Sequence, residues 1–184
     1  MTVGLSTING TFTLDPSHSR LGFVTRHAMV TKVRGAFNDI EGTATGDGQN
    51  PAEASVKVVA QAASFNTGNE TRDDHVRSAD FLDVEKYPTV TFESTKVEVV
   101  DDNTLSITGD LTIKDVTKPV TIPFEFNGQA QDPFGNTRIG FEGKSKISRK
   151  DWGLTWNAAL ETGGVWSGRD DITLEIEISA IKAS

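Results

Sequence analysis

The stretch Thr71–Ser94, TRDDHVRSADFLDVEKYPTVTFES, is the one place where the chain stops reading as strand. Residues 71–78 predict a short helix, extending at most to about residue 80. Thr71 is placed to cap it, with the acid Asp74 three positions later. Asp73 and Asp74 fall in the first turn, where the helix dipole favours anions. Arg72, His75, Ala79 and Leu82 share one face at spacings of three, four and three. Tyr87-Pro88 ends the helix, because the residue before a proline is pushed to extended backbone, and Thr89–Ser94 then alternates. A lone polar helix between strands either plugs a sheet or covers something the sheet holds.

Working outward, both flanks read as strand. Toward the N-terminus, residues 55–65 predict a long strand whose one face carries the small side chains Val56, Val58, Ala60, Ala62 and Ser64. Gly46–Pro51 is a loop. Residues 33–41 predict a strand bounded or broken by Gly35 and Gly42. Leu21, Phe23, Thr25, His27 and Met29 form an inward face at period two, after a turn at Asp15-Pro16-Ser17. Residues 1–10 predict a loose arm, and 11–184 a single domain.

Toward the C-terminus, Asp101-Asp102-Asn103 is a hairpin turn, followed by alternation through Leu105, Ile107, Gly109, Leu111 and Ile113. A turn at Asp115–Pro119 precedes Val120, Ile122, Phe124 and Phe126, with Pro123 on the other face and suited to an edge or a bulge. Asp132–Asn136 turns again before Ile139, Phe141, Gly143, Ser145 and Ile147. Trp152–Trp166 is irregular and aromatic, and Ile172–Ala180 closes the chain at period two. About eight strands with short turns and one helix predict an all-β fold. It is a single antiparallel barrel that closes on itself, with the helix over or beside it.

Composition excludes several functions. The formal net charge of −8 and a pI near 4.9 argue against a nucleic-acid partner. No apolar run approaches the roughly 18 residues of a membrane span, so no stable membrane insertion is expected. No secretory signal is read, so the expected location is cytoplasmic. Cysteine is absent, which excludes disulfides and thiol catalysis. There is no Gly-x-Ser-x-Gly elbow and no phosphate-cradling glycine loop. His18, His27 and His75 lack the spacing of a metal motif and are read as structural or pocket-lining.

Arg72, Asp73 and His75 allow two readings: a catalytic or head-group cluster, or a helix pinned to the barrel by ion pairs. Physical chemistry alone favours the second. The aromatics lie beside small residues such as Ala60, Ala62, Gly109 and Gly143. That suits a shaped apolar cavity, although a filled core is equally compatible with the pattern.

The chain also resembles a known family over residues 12–180. The resemblance is carried by Asp15-x-x-His18-Ser19, Phe23, His27 and Gly35-x-Phe37, then by Arg72-Asp73-x-His75 and Tyr87-Pro88-x-Val90-x-Phe92-x-Ser94. Gly109-x-Leu111-Thr112-Ile113, Val116-Thr117-Lys118-Pro119-Val120 and Ser148–Leu154 extend it. Together these are similar to the YceI-like proteins, lipocalin-like barrels associated with polyisoprenoid chains.

The resemblance implies binding of a long-chain isoprenoid lipid, of quinone or prenyl phosphate type, as carrier, store or sensor, with no cofactor. It implies a lining of Phe23, Val58, Ala60, Phe92, Ile107, Leu111, Phe126 and Phe141. The head group would sit at a mouth near His27, Arg72, His75 or Arg149. Two alternatives stand beside it. One is a small enzyme with His75 as base and Arg72 orienting an anionic substrate. The other is a filled barrel serving as an interaction module. A homodimer is the default assembly.

Overall fold

Period-two alternation turns every second side chain of each strand toward a common interior, and the strands join accordingly. The computed structural model describes residues 8–27, 31–47, 49–79, 82–152 and 171–183; for 25–27, 31–33, 52, 149, 150 and 171 it describes the backbone alone. The strands are β1 (Asn9–Leu14), β2 (Arg20–His27), β3 (Thr31–Phe37), β4 (Ile40–Asp47), β5 (Ser55–Gln61), β6 (Phe65–Asn66), β7 (Thr89–Asp101), β8 (Thr104–Ile113), β9 (Val116–Gln131), β10 (Thr137–Ser148) and β11 (Asp171–Lys182). The helix α1 spans Glu70–Arg77.

Strands β1, β4, β5, β7, β8, β9, β10 and β11 pair in that order. Pairing of Phe12–Leu14 with Ala180–Lys182 closes the ring into an eight-stranded antiparallel barrel. Three staves are bent. β1 turns through a short 3-10 segment, Pro16–His18, into β2, and the two lie end to end along one edge of β11. β3 and β4 meet at Asn38–Asp39, and β5 passes through Ala62–Ser64 into β6. The residue-33–41 strand is therefore broken at 38–39. Gly35 and Gly42 lie inside strands.

One end of the barrel carries the β7–β8 and β9–β10 turns and the end of β11. The other carries β2, β3, β6, α1 and the β8–β9 turn.

Two local expectations change. The β8–β9 ladder runs to Ile113↔Val116, so the turn there is only Lys114–Asp115, with Lys114 at φ 60°. Thr117–Pro119 belongs to the strand, and the Thr112 and Thr117 hydroxyls pair at 2.8 Å across it. The helix is capped by Asn69, whose Oδ1 accepts the Arg72 N–H at 3.0 Å; Thr71 sits inside the first turn. The cap belongs to the residue whose side chain reaches the third helical N–H, and from Asn69 that is Arg72. The helix ends at Arg77, so Ala79 and Leu82 do not extend its face. Leu82 is buried by a return of the chain, its N–H bonded to the Val76 carbonyl.

Pro123 behaves as its chemistry requires. The Thr121 carbonyl faces β10 and accepts the Ser145 hydroxyl at 3.2 Å, so Pro119 and Pro123, two residues to either side, face the same way. Neither can donate to β10, and the β9–β10 ladder stops at Phe124↔Gly143. The 3-10 turn Arg149–Trp152 follows β10, and Trp152 is buried, its indole Nε1 donating to the Leu111 carbonyl at 2.9 Å. The aromatic stretch beyond Trp152, and Met29 of the inward face expected from Leu21 to Met29, lie outside the described residues.

Candidate functional site

Three inward glycines decide what the barrel interior contains. Gly35 lies opposite Phe23 across β2–β3, and Gly143 opposite Phe124 across β9–β10. Gly109 lies beside Phe92 across β7–β8. A Cβ at Gly35 would meet Phe23 Cζ at 2.4 Å, one at Gly109 Phe92 Cζ at 2.5 Å, and one at Gly143 Phe124 Cε1 at 2.5 Å. Each ring thus lies down against the wall in space that any other residue would fill. Large rings that would cross the barrel axis are folded flat, and a lumen remains.

That lumen is a cavity of about 300 Å³. One wall takes Val56, Val58 and Ala60 from the small-residue face anticipated for residues 55–65, together with Gly42 and Ala44 of β4. Ile107, Leu111, Phe141 and Ile176 form other parts of it. The surface is almost entirely hydrocarbon. No lysine, arginine or histidine is among the described lining residues, and Asp47 is the one ionisable residue there. Gly46, Asp47, Pro51 and Val99 form a rim at the β7–β8 end, and Val99, 43% exposed, brings the apolar lining to the surface.

Of the expected lining residues, Phe23, Val58, Ala60, Phe92, Ile107, Leu111 and Phe141 face this lumen. Phe126 does not. It is buried in register with Phe141, its ring 5.2 Å from that of Phe141. His27 ends β2 and Arg149 opens the turn after β10; their side chains lie outside the described residues. Arg72 and His75 are on α1, at the end away from Val99, and neither lines the cavity.

The environment of α1 matches the reading of a pinned helix. Asp73, 2% exposed, accepts the Thr67 backbone N–H at 3.0 Å and the Thr67 hydroxyl at 2.5 Å. Arg72 Nε donates to the same Thr67 hydroxyl oxygen at 2.8 Å, and its Nη2 to the Thr67 carbonyl at 3.3 Å. Arg77 Nη2 donates to the Phe65 carbonyl at 2.6 Å. Phe65 in turn stacks on Phe23 at 4.9 Å, so helix, β6 and the lumen-end ring form one packed unit. Among the described contacts, the buried one that fastens the helix is a carboxylate on the threonine that follows β6. Asp73, which reading by charge alone grouped with a head-group cluster, is the residue that holds the element in place.

A second polar cluster escaped the sequence reading. Arg138 Nη1 donates to Asp15 Oδ2 at 2.7 Å, and its Nε to Asp132 Oδ2 at 2.8 Å, tying the β1–β2 corner to the β9–β10 hairpin. The signal was present as three charged residues in or beside turns, but their partnership spans 123 positions. His18 Nδ1 lies 2.7 Å from Asp15 and 3.0 Å from the Ser17 hydroxyl. Serine and aspartate share one ring nitrogen, whereas a proton relay needs one on each; this trio caps a turn.

The Arg138 guanidinium, then the Ser17 hydroxyl, hold the Asp15 carboxyl well below the usual carboxylate range. At Asp132 desolvation pushes upward. Hydrogen bonds from the Asn136 backbone, Arg138, the Asn136 side chain and the Phe134 N–H together outweigh it and hold the group at about 2. Both folded values are depressed, so the stabilisation is complete above an unfolded carboxylate's value of about 4 and is lost as pH falls toward 2. Arg138→Met is therefore expected to lower the melting temperature at pH 7. The gap from wild type should narrow as pH falls below about 4 and close only below about 2; a gap independent of pH would show that these contacts do not set it.

Among the described residues no group of three or more His, Cys, Asp or Glu is placed to hold a metal ion, and no helix is long and apolar enough to cross a membrane. Comparison with known proteins places this barrel. The family model of the YceI-like domain matches residues 12–180. A UPF0312 protein of Ectopseudomonas mendocina (strain ymp) is 43% identical over 138 residues, 75% of this chain and 72% of its own. The crystal structure of Campylobacter jejuni YCEI protein is 33% identical with a TM-score of 0.72, covering 86% of this chain and 90% of that one. A polyisoprenoid binding domain from Saccharophagus degradans shares the fold, with a TM-score of 0.73 at 15% identity over 94% of this chain and 98% of its own. From the match over nearly the whole barrel and the identity to the UPF0312 relative, the chain belongs to the YceI-like family.

Proposed function

We propose that the lumen binds an isoprenoid lipid by its hydrocarbon tail, and that the protein acts as a carrier, store or sensor of that lipid. The observation that carries this reading is the continuous hydrocarbon wall around about 300 Å³ of space, open to the surface at Val99. Such a wall rewards an apolar chain by about 0.8 kcal/mol per buried CH₂ and offers few polar anchors to anything else. The Saccharophagus degradans domain, described as polyisoprenoid binding, has the same fold. The tail contacts are Phe23, Val58, Ala60, Phe92, Ile107, Leu111 and Phe141, and the head group lies at the rim by Asp47, Pro51 and Val99.

The described lining contains a carboxylate and no cation. Among the described lining residues a phosphate head would meet a carboxylate, and an uncharged head of the quinone type avoids that repulsion. The enzyme reading loses support for a similar reason. A substrate held in the lumen is not presented to Arg72 or His75.

The test is native mass spectrometry of the protein purified from its own host without detergent, followed by uptake of added prenyl quinone. A one-to-one adduct in the mass range of an isoprenoid lipid is expected. An apo mass with no uptake of quinone or prenyl phosphate would refute the proposal. Ala60, 2% exposed and facing the lumen between Ile40 and Val90 in register, gives the variant. Ala60→Trp should abolish uptake while keeping the β-type circular dichroism of wild type.

A further inference from the structure

The barrel wall is not laced evenly. The β8–β9 ladder runs unbroken from Thr104↔Glu125 to Ile113↔Val116, and the β10–β11 ladder from Arg138↔Ile181 to Ser148↔Asp171. Between these two, β9 and β10 pair from their turn only as far as Phe124↔Gly143. Resting on the lipid-binding reading above, we infer that the rest of the β9–β10 contact, toward the α1 end, is a lateral seam that parts to let the lipid tail into and out of the lumen.

Two prolines unlace it. The residues of β9 that face β10 alternate: Thr121 does, its carbonyl taking the Ser145 hydroxyl, and so do Pro119 and Pro123. Of these three successive positions, two have no N–H to give. Proline within a sheet is confined to edges and bulges, and β9 is laddered to β8 on one side while forming an edge on the other. Continuing the register of Phe124↔Gly143 sets Pro123 opposite Lys144, Thr121 opposite Lys146 and Pro119 opposite Ser148. That is about 17 Å of wall. Among the described residues, the hydrogen bond that crosses it is the Ser145 hydroxyl on the Thr121 carbonyl, at 3.2 Å. The N–H groups of Lys144 and Lys146 point at β9 without a ladder partner.

The seam leads straight to the interior. Ile122 on one side and Ile147 on the other both line the lumen. Each flanking strand stays laddered to its outer neighbour, so the two can separate without either coming loose. A tail laid side-on along the seam exchanges water for hydrocarbon over its whole length together. One threaded by its end past Asp47 and Val99 must do so unit by unit.

The experiment closes the seam in two independent ways and times uptake. The chain has no cysteine, so Thr121→Cys with Lys146→Cys, both at exposed positions, supplies the sole pair of thiols. They are bridged by a short bismethanethiosulfonate, which dithiothreitol removes. Pro119→Thr with Pro123→Thr instead restores the two missing donors. The probe is a benzoquinone carrying four isoprene units, and quenching of the three tryptophans in the full chain is followed by stopped flow. Bridging should slow both uptake and release at least tenfold, leave the Kd within threefold, and be reversed by dithiothreitol. The threonine variant should slow uptake at least fivefold and slow hydrogen exchange at Lys144 and Lys146; it keeps the test decisive if the cysteine variant does not fold. Uptake in the bridged protein within twofold of its reduced form, or in the threonine variant within twofold of wild type, would overturn the seam and assign entry to the open rim, with lipid binding intact. A wild type that takes up no quinone would remove the lipid reading itself, and the seam with it.

Discussion

Gly35→Ala is expected to lower the stability of the protein by about 3 kcal/mol, the upper part of the range for overpacking a filled site. In a domain of this size that corresponds to a fall in melting temperature of roughly 6–12 °C. The added Cβ would lie 2.4 Å from Phe23 Cζ, 2.7 Å from Thr67 Cγ2 and 2.8 Å from the Asn66 carbonyl. No single rotamer change relieves all three. The Phe23 ring is held between Phe65 at 4.9 Å and Phe37 at 6.2 Å. Thr67 is committed to Asp73 and Arg72, and Asn66 is paired to Ala36 in the β3–β6 ladder. The strain therefore spreads into the fastening of α1. Gly46→Ala is the control: an added Cβ there meets nothing within 4 Å, and its effect should stay within about 0.5 kcal/mol. Thermal melts followed by circular dichroism read both. If the two variants melt together, the packing assigned to Phe23 is wrong.

Asp73→Ala carries the second large effect, about 2–4 kcal/mol. The carboxylate is the one charged side chain in the buried set of described residues. Its loss strands the Thr67 N–H, which now donates to it, and removes the acceptor of the Thr67 hydroxyl. Arg72 donates to that same hydroxyl oxygen, so its bond to Thr67 is disturbed as well. Thr67→Val removes the hydroxyl alone and keeps the N–H bond, so it should cost about 1 kcal/mol. Hydrogen exchange separates local from global loss: amides of α1 should lose protection in Asp73→Ala before those of β8 and β9. Because neither Arg72 nor His75 is among the described residues lining the lumen, uptake of added prenyl quinone should remain within threefold of wild type below the melting transition. A hundredfold loss of uptake with α1 still protected would instead return the cluster to the ligand.

Much of the architecture was legible along the chain because period-two alternation is a local property. Leu105, Ile107, Leu111 and Ile113 announce one face of β8 without reference to any other strand. The same holds for Val56, Val58 and Ala60, whose small size left either a large opposing side chain or open space, and for the short helix after Asn69. Number of strands, antiparallel closure and family membership all rest on such local or ordered signals. The cap was misplaced because Asn69 and Thr71 are both chemically able to cap, and only backbone geometry chooses between them. The bend between β1 and β2 is announced by Asp15-Pro16-Ser17, but those between β3 and β4 and between β5 and β6 leave little local trace, since a stave that turns keeps alternating on both sides of the turn.

What tertiary structure alone decided is that the barrel is hollow and where it opens. Whether a phenylalanine fills the axis or lies along the wall depends on which residue the register sets opposite it. Phe124 meets Gly143 and Phe23 meets Gly35 only once the strands have paired. The Arg138 bridge between Asp15 and Asp132 likewise exists only after closure brings the two ends of the chain into one ladder. The sequence by itself determined the strands, their inward faces and the kind of barrel they make. Pairing register, a long-range property, determined that rings lie over glycines, that a lumen of about 300 Å³ survives, and that its described rim lies at Val99 rather than beneath α1.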